Sequence, residues 1–288
     1  MIIYGIVTGR IETPKELDQE ETTAPKRGEN LIRSIGKAFT ILELIGREKE
    51  LGIAEMIKEL GWKKSTVHRI ASTLEELGYL QQTPTSLKYR LSFNLFTLGN
   101  LTKANLNLPG TALPFLQELQ RDTDESIYLG VMDRNEVLYV EHLPSHHVLQ
   151  PLIHLGFRAP LHCTAIGKVL LSALSAEDAR RLIRQTDLKK LTPNTITSPR
   201  MLARAILGIR RKGVAMDNEE FHVGIRSIAA PIKDEMGKVI AGISIAGPTV
   251  RLPMEKLKGS LDLLKATAES ISIDLKPKAS PNFTTKVK

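Results

Sequence analysis

The sequence predicts an α+β fold in two unequal domains, and three observations predict it. At 288 residues the chain exceeds one minimal module, since a domain takes roughly 100–200 residues. Residues 35–78 carry apolar side chains at helical spacing in three successive blocks. From Ser126 onward, β-rich runs pair around short polar turns while helical stretches stand apart from them, which favours an antiparallel sheet flanked by helices over a doubly wound parallel one.

The elements follow in order. Ile35, Ala38, Phe39, Leu42 and Ile45 mark a first amphipathic helix, and Ile53, Ile57 and Leu60 a second that ends at Gly61. Lys63-Lys64-Ser65 comes next, with Ser65 as N-cap, and Val67, Ile70, Leu74 and Leu77 form the buried stripe of a third helix closed by Gly78. Tyr79-Leu80 and residues 88–91 read as two short strands around the turn-prone Gln81 to Ser86. Helix, turn, helix and hairpin in that order make a winged helix-turn-helix over residues 30–92. Phe93 to Leu106 gives a connecting helix that ends near Pro109, so residues 93–108 are the linker, and a further helix runs from Pro114 to Asp122. Residues 126–132 and 136–142 form a hairpin around Asp133-Arg134-Asn135, and Leu149 to Leu155 a third strand. Helices are expected at 164–174, 176–185 and 199–212, strands at 225–232 and 239–246, and a last helix from Pro253 to Ile273. The second domain spans 109–276. Residues 1–29 are a polar, proline-punctuated extension expected to be disordered, and 277–288 a basic tail.

Charge separates the domains as well. Residues 30–105 hold 11 basic and 7 acidic side chains, while the overall formal charge is +8. A polyanionic partner suits the first domain. No apolar run approaches the ~18 residues of a membrane span, and the Met1 to Val7 stretch lacks the charged start of a secretory signal. A single cysteine, Cys163, excludes an internal disulfide, so the expected compartment is the cytoplasm.

With its stripe buried, the third helix presents Thr66, His68, Arg69, Ser72 and Thr73, and no acidic residue lies between Gly61 and Leu74. Such a face fits a major groove. Lys63, Lys64 and Ser65 sit at the helix start, where cations and backbone N–H groups favour phosphate, and Lys88 belongs to the wing. Arg69 is the candidate base reader, because arginine pairs with a guanine edge, whereas the lysines fix position and affinity. The partner is double-stranded DNA.

Residues 61–70 (GWKKSTVHRI) and 74–80 (LEELGYL) resemble the first domain of the IclR family of transcriptional regulators. The second domain is similar too, through residues 160–172 (PLHCTAIGKVLLS), 192–197 (TPNTIT), 217–220 (DNEE), 224–231 (GIRSIAAP) and 243–248 (ISIAGP), and the likeness covers roughly residues 31–275. The resemblance implies a GAF-like effector domain, a small carboxylic acid effector that alters operator binding, repression rather than activation, and a homodimer or homotetramer. By family position the backbone of Ala165 and Ile166, followed by Gly167, contacts the effector, with the side chains of Asp217, Ser227 and Ser244. Thr164 is placed to cap the helix that starts there, leaving N–H groups for a carboxylate. Position 227 is usually cysteine in this pattern and is serine here, and position 246 is often serine and is alanine here, so the family's familiar effectors do not carry over by position. No cofactor is implied.

Three other readings exist. His162-Cys163 with nearby His142 suggests a thiol-dependent enzyme, but adjacent strand residues point to opposite faces, and no third partner lies nearby in sequence. A metal held by His142, His146, His147, His154 and Cys163 lacks finger-like spacing, with the rings of 146 and 147 diverging along a strand. A constitutive DNA-binding protein whose second domain only oligomerises is the alternative within the DNA-binding class.

Overall fold

The computed structural model describes residues 32–105, 107–151 and 153–275. The expected extension at 1–29 and tail at 277–288 lie outside the described residues. The chain divides after Asn105 into two compact units.

In the first unit, α1 (Arg33–Glu48), α2 (Ile53–Leu60) and α3 (Lys64–Glu76) pack around Ile41, Ile45, Met56, Val67 and Ile70. Gly61 closes α2 in the left-handed region (φ 66°), which lets the chain turn directly into α3. Strands β2 (Leu80–Gln82) and β3 (Tyr89–Leu91) form the wing, and a two-residue strand the sequence did not announce, β1 (Glu50–Leu51), adds to β3. The connecting helix α4 covers Phe93–Asn105.

Four expectations are corrected here. Ile35 and Phe39 are exposed, because α1 buries the face carrying Ile41, Leu42 and Ile45 instead. Leu77 is exposed and Ala71 takes its place in the stripe, since α3 ends at Glu76 before another turn is completed. Ser65 is not the N-cap: α3 begins at Lys64, and the extended residue before it is Lys63. Pro109 does not end the linker helix but opens α5 (Leu108–Thr123), where a first-turn proline loses no helical hydrogen bond, and the start at Pro114 moves inside that helix.

The second unit is a six-stranded antiparallel sheet with the order β6-β5-β4-β9-β8-β7. Its strands are β4 (Ser126–Asp133), β5 (Glu136–Leu143), β6 (Arg158–Pro160), β7 (Ala215–Asn218), β8 (Ile225–Lys233) and β9 (Val239–Pro248). Arg134 and Asn135, both at positive φ, make the two-residue turn between β4 and β5. One face carries α6 (Ala165–Ala173), α7 (Ala176–Gln185) and α8 (Pro199–Lys212), with Ile166, Val169, Leu202 and Ile206 in the core. The other carries α5, α9 (Met254–Gly259) and α10 (Leu261–Asp274), over Ile127, Leu129, Ile243 and Ile245. The period-two alternation of β9 therefore sends Ile243 and Ile245 to one core and Ser244 and Ala246 to the other side.

No strand spans 149–155 among the described residues. That segment, which contains Pro151, runs as irregular chain with Leu149 and Leu155 exposed, and the edge strand is β6 instead. The last helix is interrupted at Ser260, after a glycine that weakens the helix.

Candidate functional site: a basic helix face and a buried polar cavity

On α3 the side chains of Lys63, Lys64, Ser65, His68, Arg69 and Thr73 are exposed, while Thr66 and Ser72 are half-buried. The first turn of α3 holds no acidic residue and no side-chain cap. Thr73 Oγ1 donates to Arg69 O at 2.8 Å, which costs its outward donor. Ser72 is half-buried on the side of α3 that meets the Tyr89 side chain of the wing. Lys88 is also engaged, because its ammonium lies 2.9 Å from Glu55 Oε1, whose other oxygen accepts the Gly52 N–H. The remaining exposed donors form one cationic strip along the start of the helix. A contact missed in the sequence lies beside it: Lys37 Nζ sits 5.0 Å over the Trp62 ring, just before Lys63.

In the second unit Thr164 caps α6 as expected. Its Oγ1 accepts the Gly167 N–H at 3.1 Å and donates to Pro160 O at 2.9 Å. The N–H groups of Ala165 and Ile166 fall in the first turn of α6, where a helix supplies no intrahelical acceptor. Gly167 is required by packing: a Cβ there would lie 2.4 Å from Leu161 O. Across the sheet, the register pairs Asp217 with Ser227 and Ser227 with Ala246, which brings residues far apart in sequence to one end of the sheet.

Asp217, Ser227 and Ser244 line one cavity with Thr164, Tyr128, Tyr139, Phe221 and His222. Ala165, Ile166 and Gly167 are fully buried beside Thr164 and do not themselves line it. The cavity measures about 20 Å³, room for a water molecule. Pro151 and Ile153, from the segment read as a strand, also line it. That strap is pinned by Tyr128 Oη donating to Pro151 O at 3.0 Å, and by Arg251, which bonds Leu149 O while pairing with Glu125.

Burial raises Asp217 to about 7, although Oδ1 accepts the Glu220 and Phe221 N–H groups and Lys168 also favours the charged form. The site is therefore poised to hold Asp217 protonated or charged near neutrality. The aromatic lining was missed because Tyr128, Tyr139 and Phe221 sit on separate elements and no local spacing links them.

His162 and Cys163 stand in the turn before α6, so the strand argument against their cooperation does not apply. His162 Nε2 lies 3.1 Å from Lys189 O instead, and burial pushes the Cys163 thiol up, keeping it protonated. His146 and His147 are likewise in irregular chain, His147 bonding Asp124. Among the described residues no group of three or more His, Cys, Asp or Glu side chains could hold a metal, and no helix is long and apolar enough to cross a membrane.

Comparison with known proteins bears on both regions. Residues 34–84 match the IclR helix-turn-helix domain, and residues 101–273 the C-terminal domain of bacterial transcriptional regulator IclR. The chain is 37% identical over 244 residues to the HTH-type transcriptional regulator KdgR of Escherichia coli, covering 85% of this chain and 93% of that one. The Thermotoga maritima IclR structure is 30% identical with a TM-score of 0.73, covering 85% of this chain and 99% of that one. An IclR homolog from Microbacterium hydrocarbonoxydans, solved in complex with 4-hydroxybenzoate, is 26% identical with a TM-score of 0.75, over 84% of this chain and 98% of that one.

Proposed function

We propose, for a chain that belongs to the IclR family of transcriptional regulators, that the α3 face reads an operator and that the cavity at Asp217 receives a small organic acid which modulates that reading. Membership makes the protein a DNA-binding transcriptional regulator and not an enzyme. The observation that carries the residue-level reading is the exposed cationic start of α3, whose first turn holds no acidic residue. Lys63 and Lys64 meet phosphates, and Arg69 reads a base edge, for about 1–3 kcal/mol of discrimination.

The acid binds between Asp217, Ser227, Ser244 and Thr164, with the α6 N-terminus favouring its carboxylate. A ligand larger than water requires the lining, which includes Pro151 and Ile153, to make room. The protein acts in the cytoplasm, as a repressor, and as a homodimer or homotetramer. Ile32, Ile35 and Phe39 beside α1 and Phe93, Phe96 and Leu101 on α4 are exposed apolar side chains of the kind a second copy covers.

The test uses a duplex selected by the protein from a random library. Arg69→Ala should lose discrimination at one or two base positions, while Lys63→Ala should weaken all duplexes and reduce the salt slope by about 1. An equal loss for Arg69→Ala on every sequence would sink the base-reading role. In parallel, thermal-shift screening with small carboxylates should find one that raises the melting temperature, and Ser227→Ala should diminish that rise. A full rise in the Ser227 variant would move the site elsewhere.

A further inference from the structure

Lys168 and Glu220 form an ion pair inside the second unit, with relative side-chain exposures of 3% and 10%, and neither lines the cavity. Burying two charges is costly unless the arrangement serves some purpose, and an isolated pair of this kind is weak evidence for stability. The pair joins α6 to the turn after β7. Asp217, within β7 just before that turn, accepts the Glu220 N–H at its Oδ1 at 2.7 Å. The Glu220 carbonyl accepts from Thr195 Oγ1 at 2.7 Å, and the Glu219 carbonyl from Thr192 Oγ1 at 2.6 Å. Glu220 thus fixes its turn at three points: by its side chain to Lys168, by its N–H to Asp217, and by its carbonyl to the 192–195 loop. Glu220 Oε2 and His162 Nδ1 are buried without partners, so the network retains unused polar capacity beside the pair.

We propose that Lys168 and Glu220 are positioning residues for the effector, holding the Asp217 carboxyl in place and setting its charge and hence the pocket's tolerance of an anion. This rests on the reading of the cavity as the effector site. The groups facing Asp217 are Lys168 of α6, Glu220 of the turn after β7, Tyr139 of β5 and Cys163 before α6, with His222 on the same cavity. Of these, Lys168 favours the Asp217 carboxylate and the Glu220 carboxylate opposes it. Removing the two charges therefore has opposite effects, which a general loosening of the fold does not produce.

The experiment uses the full chain with Asp residues labelled at the carboxyl carbon, and Asp217→Asn identifies the signal. Lys168→Met should move the Asp217 midpoint up and Glu220→Gln should move it down, each by about one pH unit. Acetate, pyruvate, D-gluconate and benzoate serve as probes. A probe that stabilises the wild type should keep its effect to higher pH in Lys168→Met and lose it at lower pH in Glu220→Gln. Lys168→Met/Glu220→Gln, which leaves no buried charge of the pair, serves if either single variant fails to fold, and its midpoint should lie below that of Lys168→Met and above that of Glu220→Gln. A wild type that responds to none of the four probes removes the pocket reading, and this inference with it. A responsive wild type whose variants keep both its midpoint and its pH profile overturns the inference alone.

Discussion

The two polar regions of this molecule are built on opposite plans. On α3 the polar side chains at the helix start project into solvent, and among the described residues those of Lys63, Lys64 and Arg69 make no hydrogen bond or ion pair. In the cavity two polar groups are already engaged: Asp217 accepts two N–H groups and Thr164 both accepts and donates. The first plan suits a large anion that brings its own charge, in high dielectric, where attraction is long-ranged and salt-screened. The second suits a small ligand that must match preset donors and acceptors where desolvation decides the charge state. One region should therefore respond chiefly to salt and the other chiefly to pH.

The largest expected effect tests the pH half of this contrast. Asp217 stands at about 7 when folded and near 3.8 otherwise, so between these values the folded state holds a proton that the unfolded chain has released. Stability should then fall as pH rises from about 4 to about 7, by roughly 4 kcal/mol at most, and level off above. Urea unfolding of the second unit across that range should show the slope, and Asp217→Asn should flatten it. An unchanged slope in the variant would place the proton uptake on another group.

A smaller effect compares one substitution in both regions. Gly167→Ala would drive a methyl into Leu161 O and the Leu161 Cα, both backbone atoms, and should cost about 1–3 kcal/mol or more along with any probe binding. Gly61→Ala meets nothing within 4 Å and pays only for its left-handed backbone, about 1 kcal/mol. Comparable melting temperatures for the two variants would show that the α6 start is not tightly packed.

The same contrast explains what the sequence could reveal. The α3 face is encoded in fourteen consecutive residues, from Gly61 to Leu74, so helical spacing and one glycine turn sufficed to expose it. Periodicity could not choose between overlapping faces at helix ends, and it put Ile35, Phe39 and Leu77 in the core when all three are exposed. Apolar content alone suggested a strand at 149–155, but strand pairing is non-local, and Pro151 helps keep that stretch as a strap. The cavity is assembled by the register of β7, β8 and β9 with β4 and β5, so Tyr128, Tyr139 and Phe221 carried no sequence signal. Asp217, Ser227 and Ser244 were found through family resemblance and not through spacing. The pairing of Lys168 with Glu220, 52 residues away, was out of reach of either route.

The smallest expected effect sharpens the boundary of the α3 strip. Lys88 has the charge and the wing position of a phosphate contact, yet its ammonium already bonds Glu55 at 2.9 Å. That carboxylate is held in turn by the Gly52 N–H at the start of α2, and the N–H together with Lys88 keeps Glu55 below its usual range. For Lys88 to reach a phosphate it must leave a partner of opposite sign, and the carboxylate left behind would face the same polyanion. Lys88→Ala should therefore alter duplex affinity and its salt slope much less than Lys63→Ala does, when both are measured by fluorescence anisotropy over a range of salt. Equal slopes for the two variants would mean that DNA pulls Lys88 off Glu55, extending the cationic strip from α3 onto the wing.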